Sequence, residues 1–351
     1  MNFNITILIV AFIIAAIAGI FVIPMLRKLK VGQSEREDGP QSHLNKQGTP
    51  TMGGIIMIIA VVISVAITFI YNQEIAKKII PIALAAIGFG IIGFIDDYKK
   101  VVLKNTDGIS PKAKMFGLLL ISILYTIYLV NILHINTALV IPFLKSEITL
   151  PIFIYIPFMI VVMLGTTNAV NLTDGVDGLS TSVCLIILAT LASIGIIYGM
   201  PEISILGAIA CGACLGFLIY NLNKAKAFMG DTGSLYLGGM ISCMAIYLRM
   251  PLLLLIIALV PVCETLSVIL QVAYYKRTKK RIFKMAPIHH HLELSGWREN
   301  RIVIAFSVVT LIVCAFGLQI IWKNNWITIL FPNYILERNE KNGQKKLFEF
   351  F

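Results

Sequence analysis

The sequence predicts an all-α polytopic integral membrane protein of about ten transmembrane helices, with both termini outside and the active site on the cytoplasmic face. Three observations predict it. Of 351 residues, 58% are hydrophobic and only 13% are charged, where a soluble domain carries about 25% charge. Apolar runs recur along the whole chain at the length of about 20 residues that a helix needs to cross the hydrocarbon. Lys and Arg are divided unequally between the two sets of loops that those runs separate.

The runs are approximately 4–26, 52–71, 79–96, 115–133, 151–170, 179–199, 203–220, 233–248, 252–275 and 301–322. The first has no basic region before it, is too long for the core of a signal peptide, and is followed by Arg27, Lys28 and Lys30. It reads as a retained helix with its N-terminus outside. The second opens after Thr49-Pro50, a capping residue followed by a proline suited to a first helical turn. The third ends on Asp96-Asp97, acids at the helix end where the dipole opposes them. The seventh contains Cys211 and Cys214, whose spacing suggests a metal or redox pair. Inside a membrane segment they read instead as small packing residues. The ninth contains Glu264 deep in apolar sequence, where a charge costs about 2.5–3.5 kcal/mol to insert. That makes Glu264 either a functional acid or a neutral, hydrogen-bonded one.

Loops after the odd-numbered runs hold twenty Lys and Arg, and the other side holds nine. The basic side is therefore the cytoplasmic one. The net charge of +11 is explained by the lipid bilayer, and nucleic acid is not needed as a partner. Residues 1–326 read as a single transmembrane domain without internal repeats, and 327–351 as a polar tail, either disordered or an added end.

Five polar clusters stand out, and each follows an odd-numbered run. They are Ser42 to Gly54, Asp96 to Lys100, Asn168 to Gly178, Asn221 to Ser234, and Met285 to Glu293. Each has a bland reading alone: a helix cap, a solvated helix end, a polar stripe. Five such coincidences at one face argue for a site. The clusters bring together Asp96, Asp97, Asp174, Asp177 and Asp231, interleaved with Lys46, Lys100 and Lys112. Carboxylates and ammonium groups without sulfur ligands suit a hard cation such as Mg²⁺ on phosphate oxygens. Magnesium takes one or two protein carboxylates, which leaves the others for catalysis or sugar binding.

Taken together, Ser42-His43 through Gly54, Phe94-Ile95-Asp96-Asp97-Tyr98, Asn168 through Gly178, Phe228 through Ser234, and Met285-Ala286-Pro287-Ile288-His289-His290-His291-Leu292-Glu293 resemble the phospho-N-acetylmuramoyl-pentapeptide transferases. These belong to the polyprenyl-phosphate sugar-1-phosphate transferases. The unbroken triple histidine separates this family from relatives that transfer N-acetylglucosamine phosphate. The resemblance implies an enzyme of the bacterial inner membrane that uses UDP-N-acetylmuramoyl-pentapeptide and undecaprenyl phosphate, needs Mg²⁺, and makes the first lipid intermediate of peptidoglycan together with UMP. It implies Asp96, Asp97, Asp231 and His289 as catalytic residues, with Asp231 the Mg²⁺ ligand. It further implies Lys46, Thr51, Asn171, Asp174, Asp177, Asn221, Phe228, His290 and His291 as substrate contacts, with Phe228 suited to stacking on uracil. Lys100, Lys112 and His289 fall where phosphates would lie.

Adjacent residues on a helix point about 100° apart, so Asp96 and Asp97 are expected to differ in role. Two mechanisms are open: attack by one of these carboxylates with a covalent intermediate, or direct attack by the lipid phosphate. The second pKa of a phosphomonoester is near 6, so the lipid phosphate needs little help from a base, which favours direct attack. A transferase for another UDP-amino sugar is the nearest alternative. A membrane transporter is the alternative of another class, but it expects ionisable residues at mid-membrane depth. A homodimer is compatible with the sequence.

Overall fold

The computed structural model describes residues 3–28, 48–103, 108–144 and 146–324. Lys46 and the first part of its cluster lie outside the described residues, as does the tail after residue 324. In chain order the helices are α1 (Phe3–Lys28), α2 (Gly54–Tyr71), α3 (Gln73–Val101), α4 (Pro111–Asn131), α5 (Ile152–Thr173), α6 (Leu179–Ile197), α7 (Pro201–Asn221), α8 (Gly230–Tyr247), α9 (Leu254–Ile257), α10 (Leu259–Thr278), α11 (Ile288–Glu293) and α12 (Glu299–Asn324). Local chemistry sets several boundaries. Asn72 caps α3 by accepting the Ile75 N–H at 3.1 Å. Ser110 caps α4, whose first position is Pro111, a residue with no N–H to leave unpaired.

Among the described residues, eight helices are long and apolar enough to cross a membrane, and the protein is an all-α polytopic membrane protein. Each of the ten expected runs coincides with helix, but two are of a different kind. α8 is less apolar because it faces protein: every residue from Thr232 to Tyr247 is buried, and α2, α3, α5 and α6 pack around it. A helix that no lipid touches can accept glycine, serine and an acid at its end.

The ninth run, expected as one span over 252–275, is broken. A 3-10 turn at Pro251–Leu253 leads into α9, and α10 departs at 83°. The cause is Pro261, which has no N–H to give to the Ile257 carbonyl four residues earlier and whose ring would collide with it. That carbonyl accepts the Cys314 thiol at 3.5 Å instead.

Helix alternation gathers the starts of α2, α4, α6 and α8 with the ends of α3 and α5 at one end of the bundle. At the other end is a hairpin of β1 (Ala138–Val140) and β2 (Glu147–Thr149), antiparallel with Leu139 opposite Ile148. Arg249 pins it, donating to the Ala138 carbonyl at 3.0 Å and pairing with Glu147 at 2.7 Å.

Candidate active site

The site begins with backbone meeting backbone. The Gly53 and Gly54 N–H groups donate to the carbonyls of Phe228 and Met229 at 2.8 and 3.0 Å, and the Phe228 N–H donates to Pro50 at 2.8 Å. The segment leading into α2 is thereby strapped to the segment leading into α8. Side chains would prevent the contact. A Cβ on Gly93 would stand 2.1 Å from the Asp231 carbonyl oxygen, and one on Gly54 would stand 2.2 Å from the Gly233 Cα. Gly230, at φ +72°, turns the chain into α8 in a conformation that L side chains rarely adopt. In this way α2, α3 and α8 converge within one turn of Asp96, Asp97 and Asp231.

The two adjacent aspartates separate in role, as their angular offset predicts. Asp97 is 4% exposed and serves the start of α8. Its Oδ1 accepts the Asp231 N–H at 3.2 Å, and its Oδ2 accepts the Thr232 N–H at 2.9 Å and the Thr232 hydroxyl at 2.6 Å. A carboxylate there satisfies amides that an α-helix leaves unpaired and complements the helix dipole. Asp96 turns the other way. Its Oδ1 accepts the Ile109 N–H at 2.8 Å, and its Oδ2 pairs with Lys100.

Asp231 is the focus. Its Oδ2 meets Lys114 Nζ at 2.8 Å and Lys100 Nζ at 3.1 Å, and its Oδ1 accepts from the Asn171 amide at 2.7 Å. The Asn171 amide also donates to the Ser234 hydroxyl at 2.8 Å. Lys114 lies 4.0 Å from Asp96 as well, so two ammonium groups bind two carboxylates into one cluster. Among the described residues, no group of three or more His, Cys, Asp or Glu converges as a metal site. Mg²⁺ does not require one, since water and phosphate oxygens complete its shell. The cluster fits such an ion: Asp231, with Asp96 beside it, is the hard donor set. The lysines already supply positive charge there and are long enough to swing toward phosphate.

The other expected residues divide. Asp174 caps the end of α5. Packing against protein, reinforced by the carboxylates of Asp231, Asp97 and Asp177, pushes it well above the ordinary carboxylate range. Asp177 accepts the Ala225 N–H at 3.0 Å. Asn221 is buried, accepting from Thr181 at 2.7 Å and donating to the Ala227 carbonyl at 3.1 Å. Both shape the loop before Phe228, which is itself half-buried. Thr51 is buried beside Gly230. Lys112 is exposed in the first turn of α4, and it is Lys114 that reaches Asp231. His289 is buried, His290 contacts Glu293 at 2.7 Å, and His291 Nδ1 accepts the Lys284 N–H at 3.1 Å.

Lys114, Thr232 and Ser234 are the residues that sequence reasoning missed. Thr232 and Ser234 lie inside a recognised cluster, but there Asp231 alone carries a role. Lys112 and Lys114 are equivalent in sequence, and only the helix phase separates them.

The model for glycosyl transferase family 4 matches residues 79–249, which include Asp96, Asp97, Lys100, Lys114, Asn171 and Asp231. A phospho-N-acetylmuramoyl-pentapeptide-transferase of Clostridium kluyveri is 51% identical over 312 residues, covering 88% of this chain and 96% of the relative. The proteins of the same name from Acetivibrio thermocellus and Clostridium botulinum are 44% identical over 317 residues and 47% identical over 310 residues, each covered over 94% of its length, by 90% and 88% of this chain respectively. With a glycine-packed carboxylate–lysine cluster at its centre and identity that runs nearly the whole length of these relatives, the chain belongs to the phospho-N-acetylmuramoyl-pentapeptide-transferase family.

Proposed function

We propose that this protein transfers phospho-N-acetylmuramoyl-pentapeptide from its UDP derivative to undecaprenyl phosphate at the cytoplasmic face of a bacterial membrane, releasing UMP. The observation that carries this reading is the Asp96–Asp231 pair bridged by Lys100 and Lys114. Two polyanions must meet in this reaction, and the barrier is largely their charge. The bipartite charge of the cluster, positive groups held in place by acids, suits that task. The cytoplasmic assignment is supported by the excess of Lys and Arg in the loops at this end.

Mg²⁺, when bound at Asp231, would supply charge neutralisation on the phosphate oxygens. The chain's own residues do the rest. Asn171 fixes the Asp231 carboxylate from one side, and Asp97 fixes the backbone that presents it. Lys100 and Lys114, released from the carboxylates as phosphate enters, take over phosphate oxygens. Both oxygens of Asp97 and both of Asp96 are already engaged, which favours direct attack over a covalent carboxyl intermediate. An oxygen of the lipid phosphate forms a bond to the sugar-bearing phosphorus. The bond from that phosphorus to the bridging oxygen breaks, and UMP leaves with the electron pair. The nucleophile is largely dianionic near neutral pH, so no protein base is required.

The test is purified protein with radiolabelled UDP-N-acetylmuramoyl-pentapeptide, undecaprenyl phosphate and Mg²⁺, scored for label entering an organic phase. Label confined to water under these conditions refutes the proposal.

A further inference from the structure

Glu264 is an acid to which the reaction above gives no task. It lies in the second turn of α10, 1% exposed. Its Oε1 accepts the backbone N–H of His289 at 3.2 Å. Its Oε2 lies 3.3 Å from His289 Nδ1, off the line of a hydrogen bond. Neither that oxygen nor either ring nitrogen of His289 makes a hydrogen bond among the described residues. The imidazole, also 1% exposed, lies over Gly175, where a Cβ would stand 2.1 Å from Nε2. The ring of His290, held by Glu293, covers it with centroids 4.2 Å apart.

We infer that Glu264 is a positioning residue for His289, holding its backbone with one carboxylate oxygen and aiming its Nε2 at the Asp174–Gly178 turn with the other, while Gly175 is the slot that receives the ring. The inference rests on the reaction proposed above. A carboxylate is suited to this because it has two acceptor oxygens and no donor. The second oxygen, 3.3 Å from Nδ1, faces that edge of the ring, which leaves Nε2 as the atom turned to Gly175. A glutamine offers one acceptor and turns an NH₂ toward either the His289 N–H or the ring. A methyl group at 175 displaces the ring without touching Glu264. These are independent ways to disturb one geometry.

The experiment compares native protein with Glu264→Gln and Gly175→Ala in the label-transfer assay. It adds thermal denaturation in detergent and ¹⁵N NMR of histidine-labelled protein, with the His289 resonances assigned from His289→Gln. Both variants are expected to lose about tenfold or more in kcat, with KM for the nucleotide donor within about threefold of native. Glu264→Gln should also shift the ring nitrogens of His289, which a merely structural acid would not do. If Glu264→Gln unfolds, Gly175→Ala, which leaves Glu264 in place, decides alone. Native kcat in either folded variant, or an unmoved His289 spectrum in folded Glu264→Gln, overturns the inference. Failure of the native protein to transfer label sinks the proposed reaction instead, so the two failures are distinguishable.

Discussion

Replacing Asp97 with Asn removes one charge and one acceptor from the start of α8. In the native site its two oxygens serve three donors: the Asp231 N–H at 3.2 Å, the Thr232 N–H at 2.9 Å and the Thr232 hydroxyl at 2.6 Å. An amide keeps one oxygen and turns an NH₂ toward donors it cannot satisfy. At 4% exposure, water does not repair the loss. Hydrogen bonds to charged groups contribute about 1.5–3 kcal/mol net, and a carboxylate at a helix N-terminus up to about 2 kcal/mol. With one oxygen retained, the alignment of Asp231 is expected to lose about 2–4 kcal/mol. If that loss is felt in full at the transition state, kcat falls about 30- to 900-fold. The assay is label transfer at saturating substrates, with a melting curve on the same preparation. A kcat within about threefold of native, with an unchanged melting curve, refutes the reasoning.

Lys114→Ala should cut transfer by about 10²-fold or more, the scale of losing one positioned partner of developing charge, while Lys112→Ala stays within about threefold; equal effects would contradict the placement of these side chains. Asp231→Asn should abolish activity at ordinary Mg²⁺, and substantial turnover there removes it as the metal ligand. Enzyme and UDP-N-acetylmuramoyl-pentapeptide alone, freed of lipid phosphate, should release no UMP; a stoichiometric burst would establish a covalent intermediate. A cysteine placed in the 279–284 loop should resist an impermeant thiol reagent in intact cells while one near Asn136 reacts, and the reverse labelling would invert the orientation.

Much of this architecture was legible because lipid imposes a single rule, apolar length, and the chain obeys it wherever lipid is the neighbour. The rule falters where the neighbour is protein. α8 was found as a run although glycine and serine dilute it, and nothing local announced that it would be the centre of the bundle. The break before α10 is written in Pro261, which stands mid-way in the run 252–275 and becomes a first-turn residue only because the helix restarts at Leu259. Asp96, Asp97 and Asp231 could be named because acids at a membrane face demand a reason. The distinction between Asp96 and Asp97 could be anticipated from helix phase, but not which of them would cap α8. Thr232, Lys114 and Gly175 were beyond reach for a common reason: each acquires its role from a residue more than a hundred positions away, through contacts that leave no local pattern.

The glycine junction has a consequence for how this site can change over time. Gly93 meets the Asp231 backbone with no room for even one methyl group, so the spacing between the acids is set by main chain, the least adjustable part of a protein. Side chains can lengthen, shorten or rotate in small steps, whereas two touching backbones either touch or do not. Substitution at Gly54 or Gly93 therefore has no mild form and would part whole helices. Drift in sequence must be absorbed elsewhere, in the lipid-facing flanks and in the loops away from this junction. A drug that engages Asp231 and the strap at Gly53 and Gly54 would leave the protein few routes of escape that did not also dismantle the catalyst.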